Sequence, residues 1–315
     1  MNITTENQID ERAICVEEAV IKQRARTPKE TIQAERANNV KKTIPCKRPT
    51  FEDVLTVRLL VRAREDFQSM RKKTDNRAGR KADGTEQNIE ERSINAEDLA
   101  MFIDISDNCR EQEKSAKKNL KERLKRFPVY TEYLLNVKGV GDIAAGHIIG
   151  NINIHEATTV SKIWQYCGLN PGMVRGKKRV EDKKGNVTFE TTDTMIRGDK
   201  LTAGFVSPFN KNLRTALVGV LADGFIKQQN FYCMEFYYPY KARLEQEENE
   251  VLHRKSKGKP EELYKWKEVS KRHRDRAAKR YMIKMFLKDL YVAWRELEGL
   301  PVRAPYQEEY LGHKH

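Results

Sequence analysis

Across 315 residues the basic side chains outnumber the acidic ones and leave a formal net charge of +14, with a pI near 9.4. That balance favours a polyanionic partner and carries no information about fold. The length accommodates one large or two smaller domains, and no apolar run approaches the roughly 18 residues that a membrane span needs.

The five cysteines, Cys15, Cys46, Cys109, Cys167 and Cys233, include no Cys-x-x-Cys pair. A zinc finger is therefore excluded, and no metal is assigned to the chain. An odd, dispersed set fits reduced thiols in a cytoplasm, that of a bacterial or phage-infected cell. The start, Met1-Asn-Ile-Thr-Thr-Glu-Asn7, has neither the basic region nor the apolar core of a signal peptide.

Residues 1–48 are polar and poor in aromatics, and are expected to form a loose arm. From Phe51 to about Arg77 apolar residues recur at helical spacing: Val54, Val57 or Leu59, Val61, Phe67 and Met70. A polar loop is expected over 78–93. A second long helix is expected from Ala96 to Arg126, with Asn95 as its N-cap and a stripe of Leu99, Phe102, Ile103, Cys109, Ala116, Leu120 and Leu124. Two such helices around a polar tip, residues 49–128, predict an antiparallel coiled-coil-like hairpin or a dimerisation arm, and hence a homo-oligomer. Pro128 is expected to end the second helix.

The segment Leu135-Asn-Val-Lys-Gly-Val-Gly-Asp-Ile-Ala-Ala-Gly-His-Ile-Ile149 reads as a helix, a tight turn and a second helix. Gly139 and Gly141 lack Cβ atoms, so the turn can be sharp and a phosphate can come close. The N–H groups of Asp142 and Ile143 lack intrahelical acceptors and, with the helix dipole, favour an anion. Ala145 is small enough for close helix packing. The pattern is that of a helix-hairpin-helix, a DNA-backbone binder, with Lys138, Gly139, Val140 and Gly141 as contacts. The other reading is two packed helices joined by an ordinary glycine turn.

A helix over Thr159–Cys167 closes at Gly168-Leu-Asn-Pro-Gly172. Val174-Arg-Gly-Lys-Lys-Arg-Val180 and Gly185-Asn-Val-Thr-Phe-Glu-Thr191 flank Asp182-Lys-Lys-Gly-Asn186 and predict a basic β-hairpin. Its candidate nucleic-acid contacts are Arg175, Lys177, Lys178 and Arg179. A helix is expected from about Lys211 to Gln229. The aromatics of Phe231-Tyr-Cys-Met-Glu-Phe-Tyr-Tyr-Pro-Tyr240 fit core packing or a base-stacking platform. Glu245, Glu247, Glu248 and Glu250 read as a solvated helix face. The last helix, Arg274 to Leu297, buries Ala277, Tyr281, Met285, Leu290 or Tyr291, and Trp294. Residues 252–284 hold thirteen Lys or Arg against four Asp or Glu, an electrostatic footprint for phosphates that assigns Arg272, His273, Arg276, Lys279 and Arg280 to nucleic acid.

In this order the motifs resemble the C-terminal part of the IS110/IS116/IS902 family of transposases. The resemblance is carried by Leu60-Val-Arg-Ala-Arg-Glu-Asp66 with Asn76-Arg77, and by Val137-Lys-Gly-Val-Gly141. It continues through Tyr166-Cys-Gly-Leu-Asn-Pro171, Phe205-Val-Ser-Pro-Phe-Asn-Lys-Asn-Leu-Arg-Thr-Ala-Leu217 and His273-Arg-Asp-Arg-Ala277, covering roughly residues 51 to 297. It implies a mainly α chain: the helical hairpin, then a helix-hairpin-helix transposase-like DNA-binding domain over 129–300 with a small β-hairpin, then a tail over 301–315. Such transposases pair a RuvC-like domain, whose acidic residues hold divalent metal, with a serine that attacks DNA phosphate. They are thought to be guided by a structured RNA.

The serine position matches Ser207, with Lys211 and Arg214 as cationic donors to developing phosphate charge. Ser207 also reads as the N-cap of the following helix. Pro208 and Phe209 stand where the family carries Lys and a basic residue. Residues 1–50 are too few for a RuvC-like fold, and Met101-Phe-Ile-Asp-Ile-Ser-Asp107 lies within a helical stripe. No cofactor is therefore assigned to this chain, and Mg2+ is expected only through a RuvC-like partner protein. Three functions follow: a DNA recombinase half acting through Ser207, a non-catalytic DNA-binding accessory protein, or a binder of structured RNA. None involves a membrane.

Overall fold

The computed structural model describes residues 49–80, 95–181, 187–253 and 262–304. The expected N-terminal arm, most of the loop at 78–93, the turn at 182–186 and nearly all of the tail lie outside them. The described residues belong to one unit, Lys47–His315. It is mainly helical, with two small antiparallel sheets of two strands each.

Helix α1, Phe51–Ala78, starts at a capping box. The Asp53 N–H donates to Thr50 Oγ1 (3.2 Å) and the Thr50 N–H to Asp53 Oδ2 (3.0 Å). It stops at Gly79, whose left-handed φ of 70° suits glycine. Helix α2, Ala96–Leu124, is capped by Asn95, which accepts from the Asp98 N–H at 2.7 Å. Ion pairs tie the two together: Asp53 to Arg126 at 2.9 Å, Arg64 to Glu113 at 2.6 Å, Arg80 to Asp107 at 2.8 Å. Residue numbers rise along one helix as they fall along the other, so the pair is antiparallel.

The large apolar residues between them gather at one end. Val57 and Val61 are buried there with Leu120 and Leu124, whereas Leu59 and Met70 of the expected stripe are exposed. Farther out Cys109 and Ala116 of the expected stripe are buried with Ala78, and so are the polar Thr74, Asp75 and Ser106. Asp75 accepts from the Ser106 hydroxyl and from Arg71, and Arg71 also reaches Glu113 at 3.0 Å. A hydrogen-bonded carboxylate thus sits among small side chains at this end.

Pro128 opens a helical stretch, since Val129–Tyr133 is a π-helical turn that follows it directly. Proline tolerates that first position because its missing N–H is not needed there. After the short 3-10 turn Leu134–Asn136 the chain turns through Gly139 and enters α3, Asp142–Asn151. Helix α4, Val160–Tyr166, leads to the ribbon of β1, Met173–Glu181, and β2, Val187–Arg197. Helix α5 is built from Lys211–Arg214, a π-helical Thr215–Leu221 and Ala222–Lys227. Helix α6 joins a π-helical Cys233–Tyr237 to Tyr238–Gln246. A second ribbon, β3 Glu250–His253 and β4 Glu262–Lys265, precedes α7, Lys271–Leu297. The glutamates read as one helix face are therefore divided. α6 ends at Gln246, Glu250 opens a strand, and Glu248 pairs with Lys265 at 2.7 Å.

One hydrophobic core unites the base of α1 and α2 with α3 to α7. Met282, Ile283, Phe286, Leu287 and Leu290 of α7 lie at its centre, each contributing about 1.5–3 kcal/mol by burial. The aromatic run at 231–240 belongs to it. Tyr232 stacks on Phe225 and meets Phe286 edge-on, and its hydroxyl donates to Asp289 at 2.9 Å. Among the described residues no helix is long and apolar enough to cross a membrane.

Helix α3 sits unusually close to its neighbours. A Cβ on Gly146 would fall 2.6 Å from Val61 Cγ2 and 3.2 Å from Leu120. One on Gly150 would fall 3.3 Å from the Arg58 backbone, and Arg58 Nε donates to the Gly150 carbonyl at 2.6 Å. Gly146→Val is expected to lower stability by about 1–3 kcal/mol through overpacking. Gly141→Val should leave the urea midpoint unchanged, because φ there is −94° and no atom lies within 4 Å of an added Cβ.

Candidate nucleic-acid interface

The glycine turn divides its two glycines between different tasks. Gly139 adopts φ 97°, and a Cβ there would lie 3.0 Å from Phe225 and 3.4 Å from the Gly224 carbonyl of α5. It therefore serves the turn and its seat on α5, and is not the point of phosphate approach expected from sequence. Asn230 secures the seat by donating to the Lys138 carbonyl at 2.9 Å. Gly141 is exposed and open at the start of α3, with Lys138 exposed and Val140 half-buried. Tyr130 donates to the Asp142 carboxylate at 2.8 Å, which places a negative charge in the first turn of α3 and opposes an anion there.

The β1–β2 ribbon pairs Lys177 with Thr191, Lys178 with Glu190 and Arg179 with Phe189, after a bulge between Arg175 and Lys177. Arg175, Lys177, Lys178 and Arg179 are all exposed. At the ribbon base the loop carrying Ser207 is pinned in three places. The Val206 N–H donates to the Lys177 carbonyl at 2.7 Å. Phe205 lies against Gly176, and Phe209 against Gly168, where no side chain would fit. Phe209 also carries the Arg214 guanidinium 4.8 Å from its ring centre.

The helix N-cap is Asn210, which accepts from the Leu213 N–H at 3.0 Å, so Ser207 does not hold that role. The Ser207 hydroxyl donates to the Phe209 carbonyl at 2.7 Å. It lines a cavity of about 210 Å³ with Gln165, Val174, Arg175, Lys177 and Ile196. Lys211 is exposed, and neither it nor Arg214 bonds to Ser207. The cavity holds two cations and no carboxylate, a donor set that disfavours a divalent metal. Among the described residues no group of three or more His, Cys, Asp or Glu is arranged to hold a metal ion.

A second convergence lies where β2 ends beside α5 and α7. Arg197 binds Asp199 in a two-point contact, 2.9 and 3.1 Å. Arg214 donates to the Asp199 carbonyl. Arg280 lies within electrostatic reach of Arg214, Asp199 and Arg197, and Lys284 within reach of Arg280 and Asp199. Lys284 sits 5.2 Å over the Trp164 ring. Burial pushes Arg214, Arg280 and Lys284 all toward their neutral forms, and the like charge of Arg214 adds to the effect on Arg280. Among the described residues neither Arg280 nor Lys284 has a carboxylate within salt-bridge distance, and Asp199 is already held by Arg197. The cluster thus gathers positive charge in excess of its one carboxylate in a partly desolvated place.

The five positions assigned to α7 separate by helical face. Arg276 and Arg280 follow one another at i, i+4, and Lys284 continues the row. Arg272 is exposed. Lys279 faces elsewhere, bound to Asp223 at 2.8 Å and Asp275 at 3.1 Å, so its charge is already answered. His273 packs between His253 and Trp266 with ring centres 4.6 and 5.5 Å away. Arg197, Asp199, Lys284 and Trp164 were not anticipated. The i, i+4 spacing of Arg276, Arg280 and Lys284 was the available signal for one of them. No family model, no curated protein and no solved structure matches the chain.

Burial lowers the His273 pKa to about 4, helped by His253, Arg280, Arg276 and Lys200. The ring is therefore uncharged at neutral pH and offers phosphate no cation. In the unfolded chain it takes up its proton near 6.5, so between 6.5 and 4 the unfolded state binds more protons. This contribution to stability is complete above about pH 6.5 and is lost as pH falls toward 4. Urea unfolding at pH 7 and pH 5 is expected to show a larger loss in the wild type than in His273→Gln. An equal loss would place the ring in solvent.

Proposed function

We propose that this chain binds nucleic acid, DNA first, through its phosphate backbone. The observation that carries this reading is the cluster of Arg197, Arg214, Arg280 and Lys284 around the single carboxylate of Asp199. Cations held partly out of water gain more from an incoming anion than exposed ones do. A phosphate supplies that charge with oxygen acceptors suited to guanidinium groups. The overall charge of +14 acts in the same direction at longer range.

The glycine turn supports the same reading as a helix-hairpin-helix. Gly141 is open, and the N–H groups behind it lead α3. The order of motifs resembling IS110/IS116/IS902 transposases supports a role in transposition or site-specific recombination of a mobile element or phage.

A second reading keeps the chemistry. Ser207 beside Arg175 and Lys177 in one cavity has the cations that a phosphoryl transfer needs. In that step a bond forms from Ser207 Oγ to phosphorus and one sugar oxygen leaves. The serine proton passes to a base, and the leaving oxygen takes one up. The hydroxyl would first exchange the Phe209 carbonyl for that base.

Duplex binding followed by fluorescence anisotropy at several salt concentrations tests the first reading. Arg280→Gln and Lys284→Gln should each weaken binding and lower the salt slope by about one. Lys279→Gln should leave the slope unchanged, and equal slopes for all three would remove the cluster from the interface.

The second reading predicts DNA that stays attached to the wild type through denaturing purification and is absent from Ser207→Ala. Attachment in neither, with native binding intact in both, would leave a binding protein without strand chemistry.

A further inference from the structure

Among the described residues the β1–β2 ribbon is a sheet of two strands. From Lys177 to Glu181, and from Val187 to Thr191, every residue is exposed. Side chains alternate between faces along a strand, and directly paired residues share a face. The register therefore places Lys177, Arg179 and Glu181 on one side with Val187, Phe189 and Thr191. Phe189 is 61% exposed on that side.

This face runs into the Ser207 cavity. Lys177 lines the cavity, and Arg179 lies two residues farther along the same face, about 7 Å away by strand rise. The surface is a short track: a flat aromatic ring, then a row of cations, then the pocket of Ser207. Arg179 has Glu181 as an exposed neighbour at 3.6 Å, a contact that solvent weakens. An apolar protein surface would cover the ring but bury the charges of Lys177 and Arg179 without counter-charges. A nucleic-acid strand answers both features, because each nucleotide carries an aromatic base and an anionic phosphate.

We infer that the ribbon face formed by Phe189, Arg179 and Lys177 is a single-strand site, in which an unpaired base stacks on Phe189 and its backbone runs over the cations toward Ser207. This rests on the nucleic-acid reading above and adds the form of the substrate: a strand unpaired at the point of contact, in contrast to duplex backbone alone.

The test uses the full chain with a short single-stranded oligonucleotide carrying 2-aminopurine, beside a duplex of the same length. Wild type should bind the single strand and change the fluorescence of the stacked base. Phe189→Ala should weaken single-strand binding about tenfold, abolish that fluorescence change and keep the salt slope. Phe189→Trp should restore both affinity and signal. A matched thermal melt of Phe189→Ala would exclude unfolding as the cause. Single-strand affinity and fluorescence unchanged in Phe189→Ala would overturn the proposal. So would a wild type that binds duplex but not single strand, while leaving the phosphate-binding reading in place. If wild type binds neither, both fall.

Discussion

Everything in the described structure hangs on the close seat of α3 against α1 and α2. Gly146 and Gly150 strip that face of side chains, so Val61, Leu120 and the Arg58 backbone come within ordinary contact of the α3 backbone. Arg58 then reaches the carbonyl of Gly150, and Glu65 hydrogen-bonds His147 at 2.9 Å. The contact locks the base of the antiparallel pair into the core. It also fixes the start of α3, and with it the turn that carries Gly141. Moving α3 outward by the width of one methyl group would open a void along a fully buried row, which interiors tolerate poorly. The turn is held from its other side as well, by Gly139 against Gly224 of α5.

A strongly basic composition does not say which cations meet a partner, and this chain separates its own into three uses. Some are structural. Arg274 donates to the carbonyls of Lys267 and Val269, and Arg295 to those of Ile154, Ala157 and Pro301, satisfying backbone oxygens that have no helix or strand partner. Others are matched to carboxylates, as in the Arg71, Asp75 and Glu113 network and the Lys279 pairs. In the third group, Arg280 and Lys284 are partly buried and, among the described residues, have neither a carboxylate within salt-bridge distance nor the backbone-carbonyl bonds that hold Arg274 and Arg295. A protein that holds such charges carries a standing electrostatic cost, which a ligand removes and which stability alone does not require.

Legibility in the sequence followed the range of the interactions. Caps and periodicity are local, so Asn95 and the spans of α1 and α2 could be read directly, and the β1–β2 ribbon announced itself by basic and β-branched strands about a polar turn. The second helix does stop short of Pro128, but that the same proline also begins the next helical stretch was not legible, because the π-helical turn after it leaves no mark in the periodicity. The buried polar end of α1 and α2 was hidden because Asp75, besides Arg71 one turn away, is satisfied by Ser106 across the pair. The β3–β4 ribbon escaped notice because its glutamates repeat at spacings that a helix also allows. The basic cluster was half visible: Arg214 and Arg280 could be named singly, but their convergence with Arg197 and Lys284 depends on where α5, α7 and the end of β2 meet.

At Ser207 the position of a side chain and its chemical activation come apart. The loop is rigid because Phe205 and Phe209 each sit on a glycine, and Val206 is tied to β1. That rigidity positions the hydroxyl beside Arg175 and Lys177, which is what a phosphate needs, but it also points the proton at a backbone carbonyl, which is not a base. Positioning and activation are distinct contributions to catalysis. The loop fixes where the hydroxyl lies and supplies no base beside it. Under the proposed strand chemistry, activation of Ser207 would have to come from a group brought within hydrogen-bonding distance of its Oγ from outside the loop.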